Sequence, residues 1–375
     1  MMNIPVCEPT LQGNELKYVT EAVQSGWISS AGKFITELEE KFAAFCGVKY
    51  SVSCSNGTTA LHLAVEALGI GAGDEVIIPT FTMAATCNAV IYAGAKPVLI
   101  DAEKETWNMD VAQIEKRITS KTKAIMVVHT YGHPVDMDVV MDIARKHHLY
   151  VIEDAAEAHG AEYQSRKAGS LGDIAAFSFY ANKLMTTGEG GIVVTNNQAW
   201  AERAKSLRNH FFGKKHRYLH EELGYNYRLT NIQAALGVAQ LEKVGQYIEA
   251  RRKNAQFYNS LLKEVKGIRL PPEKPWAKNV YWMYGMVIED DFGVSVARLR
   301  EELLKRGVDT RAFFTGMHKQ PAYMKKDVRF PDISGSYPVA DELAEKGLYL
   351  PSSSHLTEEQ IRYVVQQIRD IQNGK

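Results

Sequence analysis

Between residues 50 and 195, short β-branched runs alternate with amphipathic stretches, and this rhythm restricts the fold more than any other feature of the chain. Strands are expected at Tyr50–Cys54, Glu75–Ile78, Pro97–Ile100, Ala124–Val128, Leu149–Glu153, Ile174–Phe179 and Ile192–Thr195. Helical periodicity falls between several of them, as in T58-T-A-L-H-L-A-V-E-A-L68 and D136-M-D-V-V-M-D-I-A-R-K146. Strands alternating with helices imply an α/β fold with a mostly parallel sheet covered on both faces. Ligands bind such sheets beyond the carboxyl ends of the strands, so residues that close the strands are the first candidates for a site.

The remainder reads differently. A long helical pattern opens at Thr230, a plausible N-cap, and runs to about Val265. The breaker cluster Pro271-Pro272-Glu273-Lys274-Pro275 follows, then a strand pattern over Val280–Glu289, a helix over Val296–Arg306 and a terminal helix from about Thr357 to Gln372. A chain of 375 residues exceeds the usual size of one core. Two domains are therefore expected: residues 1–245, large and including the N-terminal segment, and residues 246–375, a smaller α+β unit.

Charge excludes several functions. Lysine plus arginine equals aspartate plus glutamate, 44 against 44, so no field favours nucleic acid or an anionic membrane. No apolar run approaches the ~20 residues of a membrane span. The N-terminus shows no basic segment followed by an apolar one, and the four cysteines show no C-x-x-C spacing. A cytoplasmic protein with reduced thiols is the expectation.

Three motifs carry chemistry. V151-I-E-D-A-A-E157 ends an apolar run on a carboxylate, F177-S-F-Y-A-N-K183 closes the next on a serine and a lysine, and T187-G-E-G-G191 follows at once. A lysine that captures an aldehyde as a Schiff base, an acid that keeps a ring nitrogen protonated and small polar groups around a phosphate are the needs of pyridoxal 5'-phosphate (PLP). Lys183 after a strand is ordinarily a solvated charge, but Gly188, Gly190 and Gly191 let backbone approach a flat ligand. Asp154 is either a helix N-cap or the partner of the ring nitrogen; Glu157 is either a capping partner or a group facing the ring. S55-N-G-T-T59 joins a strand to a helix and reads as an ordinary turn or as a phosphate site at a helix N-terminus, which Ser178 can extend. G224-Y-N-Y-R-L-T-N231 reads as a helix-entry turn or as a loop offering Asn226 and Arg228 to a ligand or a neighbouring subunit. The pairs His129/His133 and His216/His220 lack the glutamate of H-E-x-x-H, and no metal site is expected. No glycine motif fits a nicotinamide-binding domain.

Taken together, G26-W-I-S-S-A-G-K33, S55-N-G-T-T-A-L61, V151-I-E-D-A-A-E-A158, F177-S-F-Y-A-N-K183, T186-T-G-E-G-G191 and G224-Y-N-Y-R-L-T-N-I-Q-A-A-L-G237 resemble the DegT/DnrJ/EryC1/StrS sugar aminotransferases, in family order and over nearly the whole chain. The resemblance implies the type I PLP aminotransferase fold and an obligate homodimer with composite sites at the interface. It implies that Lys183 holds the cofactor's aldehyde, Asp154 its ring nitrogen and Glu157 a place beside the ring. Gly57, Thr58 and Ser178 match phosphate ligands, and Asn226 matches an asparagine that reaches the other subunit's cofactor. Relatives that dehydrate the sugar carry histidine at the lysine position, so Lys183 argues for amination.

The segments W27-I-S-S30, V128-H-T-Y-G-H-P-V-D-M-D138 and N182-K-L-M-T-T-G-E-G-G191 are most similar to members that use L-glutamate to aminate C4 of GDP-4-keto-6-deoxy-D-mannose for a surface glycan such as O-antigen. Trp27, Ser29, Arg311 and His318 are the candidates on the substrate side. A UDP- or dTDP-linked 4-keto sugar, and a non-catalytic protein on the same scaffold, stay open as alternatives. Two segments depart from the pattern. Pro79-Thr80-Phe81-Thr82-Met83 ends on Met83 where many relatives stack an aromatic on the ring, a place Phe81 takes only if the loop shifts. R311-A-F-F-T-G-M-H318 lacks the prolines of its counterpart.

Overall fold

The computed structural model describes residues 2–213, 216–325 and 327–375. Its centre is a seven-stranded sheet: β1 (Tyr50–Cys54), β2 (Glu75–Pro79), β3 (Lys96–Ile100), β4 (Thr122–Val128), β5 (Tyr150–Asp154), β6 (Ile174–Ser178) and β7 (Gly191–Thr195). The spatial order is β1-β7-β6-β5-β4-β2-β3. All seven expected strands are present, with ends differing by at most two residues. β7 is antiparallel to both of its neighbours, and every other pair is parallel. Because β7 reverses between β6 and β1, the carboxyl ends of β1, β2, β4, β5 and β6 and the start of β7 meet along one edge of the sheet.

Helices cover both faces, which is why β6 and β7 are apolar runs without alternation and buried throughout. On one face Phe42, from the helix Lys33–Cys46, meets Phe177 and Phe179 edge-on at 5.0 and 5.3 Å between ring centroids. The other face is covered by the Ala/Leu-rich helix Gly57–Ala67, whose Leu61, Ala64 and Val65 are fully buried.

A second, antiparallel sheet orders the strands Ile268–Arg269, Tyr284–Ile288, Gly347–Leu350 and Arg311–Ala312. Helices Val296–Lys305 and Glu358–Gln372 pack with it in one apolar cluster. The strand expected over Val280–Glu289 covers only Tyr284–Ile288, because Tyr281 takes a left-handed φ of 48° that breaks an extended run. The long helix Asn231–Leu262 serves both units: Ala234, Ala235 and Val238 bury against the large sheet's cluster, while Ala255, Tyr258 and Leu262 bury against the second. The expected boundary at 245/246 thus falls inside this helix. Of the N-terminal segment, assigned from sequence to the large unit, Ile4 bridges Val308 and is buried in the second unit's cluster, while Ala22, Phe34, Leu38 and Phe42 are buried in the large sheet's cluster.

The long helix begins in a capping box. Thr230 Oγ1 accepts from the Gln233 N–H at 3.2 Å, while Gln233 Oε1 accepts from the Thr230 N–H at 3.1 Å. Gln233 Nε2 also donates to the Glu189 carbonyl at 2.8 Å, tying the helix start to the glycine loop. Thr230→Ala is expected to cost about 1 kcal/mol, read as a lowered urea midpoint with an unchanged slope.

Candidate active site

The shared strand edge opens on a cavity of about 630 Å³. Lys183, Asp154, Glu157, Ser178, Gly57, Thr58 and Met83 all line it. The sequence separates these residues by more than a hundred positions, and the common direction of β1, β5 and β6 gathers them.

Lys183 sits in the loop that follows β6. Its N–H donates to the Tyr180 carbonyl at 2.9 Å, and the loop is closed by Thr187 N–H to the Phe179 carbonyl, 2.9 Å, and Phe179 N–H to the Gly190 carbonyl, 2.8 Å. Gly191 permits this closure: a Cβ there would lie 2.3 Å from the Asn56 carbonyl oxygen. The side chain is 11% exposed, with its ammonium 3.8 Å from Glu157 Oε1 and 3.6 Å above the centroid of the Trp282 ring. Loss of hydration pushes its pKa down, against the opposing pull of Glu157 and Asp154. A depressed lysine is the better nucleophile and the better proton carrier near neutral pH.

Asp154 ends β5. Oδ2 accepts from the Thr86 hydroxyl at 2.7 Å and Oδ1 from the Ala156 N–H at 3.2 Å. Both donors are neutral, and no ion pair reaches Asp154 among the described residues. Burial raises its pKa more than the two hydrogen bonds lower it. A sequestered carboxyl held by neutral donors at a cavity wall suits a cationic ring nitrogen, which would restore its ordinary acidity. The residues present therefore fit PLP.

Glu157 Oε2 accepts from the Tyr131 N–H at 2.8 Å; Tyr131 has a φ of 53°, a left-handed conformation imposed on a bulky residue beside the cavity. Burial pushes the Glu157 carboxyl up to about 7, with the Lys183 ammonium opposing. The carboxyl is poised near neutrality.

The N-terminus of the helix Gly57–Ala67 lines the cavity and could hold a phosphate. Asn56 caps it, Oδ1 accepting from the Thr59 N–H at 2.9 Å while Thr59 Oγ1 accepts from the Asn56 N–H at 3.1 Å. This box consumes Thr59 and leaves the Gly57 and Thr58 N–H groups, which a helix cannot bond internally, at its positive end. Gly57 packs on Ser178: a Cβ there would stand 2.7 Å from the Ser178 Cβ. Only glycine lets the strand serine and the helix terminus face one anion together.

The segment Pro79-Thr80-Phe81-Thr82-Met83 divides its side chains. Phe81 is 1% exposed in a cluster with Tyr131, Phe313 and Phe314, whereas Met83 is 57% exposed and lines the cavity.

The substrate-side candidates are not brought together. Trp27 is exposed on another surface cleft, and the carbonyls of Trp27 and Ser29 accept from the Asn231 side chain and N–H. Arg311 is exposed and ion-paired with Asp309 at 2.7 Å. His318 is buried, with Nδ1 2.8 Å from Thr80 Oγ1 and Nε2 3.0 Å from Asp341, and anchors the loop that carries Phe314 to the cavity wall. Asn226 lies outside the cavity, bridged to Asn209, between the stacked Tyr225 and Tyr227. The histidine pairs are engaged elsewhere: His129 Nε2 pairs with buried Glu153 at 3.0 Å, His133 Nδ1 with the Pro134 carbonyl and His220 Nδ1 with the His210 carbonyl.

Sequence reasoning missed Thr86, Asn182, Trp282, Phe314 and Tyr349, all beside Asp154 or on the cavity wall. The one available signal was the aromatic density of V280-Y-W-M-Y284, which reads equally as core.

Comparison with known proteins agrees with this geometry. The DegT/DnrJ/EryC1/StrS aminotransferase family matches residues 9–369. GDP-perosamine synthase of Caulobacter vibrioides is 44% identical over 363 residues, covering 96% of each chain, and that of Escherichia coli O157:H7 is 41% identical over the full length of both. The structure of S. venezuelae DesV, in complex with a ketimine intermediate, superposes with a TM-score of 0.89 at 35% identity, covering 96% of this chain and 94% of that one. The chain belongs to the DegT/DnrJ/EryC1/StrS family and is a PLP-dependent aminotransferase with the fold of the sugar aminotransferases.

Proposed function

We propose that the protein moves an amino group from L-glutamate to C4 of GDP-4-keto-6-deoxy-D-mannose, giving GDP-perosamine for a surface glycan such as O-antigen. The observation that carries the chemistry is one cavity shared by a desolvated lysine, a carboxyl held by neutral donors and the N-terminus of a helix. Two full-length relatives above 40% identity, both GDP-perosamine synthases, support the nucleotide and the sugar.

When bound, PLP supplies an aldehyde to accept the amino group and a ring to delocalise the electron pair of the broken C–H bond. Lys183 holds that aldehyde at rest and, once released, takes a proton from the donor carbon and later gives one to C4 of the sugar. Asp154 keeps the ring nitrogen protonated through both halves. The N–H groups of Gly57 and Thr58, with the hydroxyls of Thr58 and Ser178, fix the phosphate, and Met83 covers one face of the ring through its thioether. Glu157 accepts the ammonium's charge at 3.8 Å and stands beside the ring. Trp27, Ser29, Arg311 and His318 are assigned to the substrate side, His318 through the loop it anchors.

A cytoplasmic homodimer is part of this reading. Leu16, Val23, Trp27 and Ile28, all near the N-terminus, are large apolar side chains left exposed, and Asn226 stands outside its own cavity, where a second subunit's site can use it. Among the described residues no helix is long and apolar enough to cross a membrane.

Lys183→Ala is expected to abolish both the visible absorbance of the bound cofactor and turnover; a yellow, active variant ends the assignment, and a wild-type protein that binds no PLP favours a non-catalytic scaffold instead. Turnover of GDP-, UDP- and dTDP-linked 4-keto-6-deoxy sugars at matched concentration is expected to favour the GDP sugar at least tenfold in kcat/KM, and preference for another base overturns the substrate.

Stability gives an independent test of the buried carboxyl. With Glu157 raised from 4.5 to about 7, the folded chain binds more protons than the unfolded one between those values. Its contribution therefore destabilises the cofactor-free protein progressively as pH rises through that window, by an amount on the order of 1–3 kcal/mol. Glu157→Gln is expected to flatten the fall between pH 5 and 7 in urea unfolding, and a variant with the wild-type slope contradicts the raised carboxyl.

A further inference from the structure

The second unit contributes a side chain to the lysine itself. Trp282 is 4% exposed, and Lys183 Nζ stands 3.6 Å above the centroid of its ring. Trp282 is held at three places, two on its ring and one on its backbone. Its Nε1–H donates to the Asn182 carbonyl at 2.9 Å, so the ring is bonded to the residue directly before the lysine it covers. Its own carbonyl accepts from Arg251 Nη1 at 2.7 Å, a guanidinium 3% exposed whose Nε donates to Ser354. Tyr131 stacks near it with planes at 27°, and Tyr131 is the residue whose N–H binds Glu157. Gly132 allows the approach: at φ 100° its missing Cβ would lie 2.7 Å from Val280 Cγ2 and 3.1 Å from the Trp282 nitrogen.

We propose that Trp282 is a positioning residue for Lys183, its ring face holding the lysine as a cation next to Glu157 whenever the amine is not joined to the cofactor. The reading rests on the aminotransferase assignment and adds to it. A free lysine in a desolvated pocket has two bad options: to lose its proton entirely or to swing toward water. An aromatic face attracts an ammonium without neutralising it and without accepting its proton. Glu157 alone supplies a partner on one side only, and at 3.8 Å the contact is an ion pair without a short hydrogen bond. With the ring beneath and the carboxyl beside, the nitrogen keeps its charge and its place, and can give its proton up. Any buried tryptophan needs an acceptor for its N–H, but core packing alone does not require that acceptor to be the residue next to the lysine or the ring face to lie against the ammonium.

The test separates the ring face from mere bulk. The charged or titratable groups around Lys183 are Glu157 and Asp154 from the β5 end, Cys7 from the N-terminal segment and His159, which burial holds neutral by lowering it to about 3. All are left unchanged. In full-length cofactor-free protein, acylation of the Lys183 amine by a water-soluble reagent is followed by peptide mass spectrometry from pH 6 to 10. Trp282→Leu is expected to move the midpoint about one unit lower, because the cation has lost its support, while Trp282→Phe stays within a few tenths of wild type. In the holoprotein, the rate at which L-glutamate bleaches the visible band is expected to fall about tenfold in Trp282→Leu, with the half-saturating glutamate concentration unchanged, and to be largely kept in Trp282→Phe. A wild-type midpoint in Trp282→Leu, or equal losses in the two variants, overturns the proposal. Should Trp282→Leu not fold, tetrafluorotryptophan at position 282 keeps the shape and removes the negative face: a lowered midpoint supports the proposal and an unchanged one overturns it. In either overturning case a protein that still binds PLP through Lys183 keeps its aminotransferase assignment.

Discussion

An ammonium buried beside two carboxyls is a costly arrangement, and most of this structure follows from holding it. Largely removed from water, Lys183 is supported as a cation by Glu157 at 3.8 Å, by Asp154 farther off and by the face of the Trp282 ring at 3.6 Å. Asp154 is sequestered too, but by neutral donors, Thr86 and the Ala156 N–H. The two acids are thereby given different tasks. Glu157 answers the lysine directly, while Asp154, which feels the lysine at longer range, is the carboxyl proposed to meet the cofactor's ring nitrogen. Their raised pKa values state the same fact from the solvent's side: each is a group whose charged form lacks a full complement of partners.

The sheet makes that geometry possible. A fully parallel sheet would place the start of β7 at the far edge, and the glycine loop could not return to close over Lys183. The reversal of β7 brings Gly191 directly against Cys54 and the Asn56 carbonyl, so the lysine loop, the phosphate-binding helix and the end of β5 share one edge. The same reversal explains Gly191, where strand and helix N-terminus leave no room for a Cβ; Gly190 is crowded by the Thr187 hydroxyl, and Gly188 has open space but takes a φ of 81°. Strain gathers here as well: Tyr131 and Tyr281 both take left-handed φ, one to aim an N–H at Glu157, the other to end an extended run so that Trp282 can face the lysine.

Much of this was legible in the chain because it is local. β-branched runs bounded by turn residues specify their own strands, and Asp154, Ser178 and Lys183 are marked by closing such runs. The partners that tune these groups were not legible. Trp282 lies 99 positions beyond Lys183, and Thr86 lies 68 before Asp154; neither stands in a pattern that differs from core or cap. Aromatic density in V280-Y-W-M-Y284 reads as a strand, and the positive φ of Tyr281, invisible to periodicity, is what turns the segment into a wall of the site. Ile4 shows the same limit: nothing in a single apolar residue near the N-terminus announces that its partner is Val308. The residues proposed for the substrate, and Asn226 for the other subunit's cofactor, rest on likeness rather than on local pattern, and a single chain leaves Trp27, Arg311 and Asn226 away from the cavity.

The departure at Met83 shows how a small change stays compatible with the chemistry. In Pro79-Thr80-Phe81-Thr82-Met83 the backbone leaves β2 and enters the helix Ala84–Tyr92, for which Met83 is the N-cap with extended φ and ψ. Alternation along such a segment sends Phe81 and Met83 to the same side, yet Phe81 is drawn inward by Tyr131, Phe313 and Phe314 while Met83 stays over the cavity. Moving Phe81 outward would empty a fully buried site in that cluster and expose its ring, so the loop has reason not to shift. In the proposed site the ring face would be left to a thioether, which is polarizable, unbranched and able to adapt to a flat surface but stacks less rigidly than an aromatic. Orientation of the cofactor would then depend more heavily on the two ends proposed for it, Asp154 and the Gly57 helix. At the first, Asp154 is held by the Thr86 hydroxyl and the Ala156 N–H; at the second, a Cβ on Gly57 would stand 2.7 Å from the Ser178 Cβ.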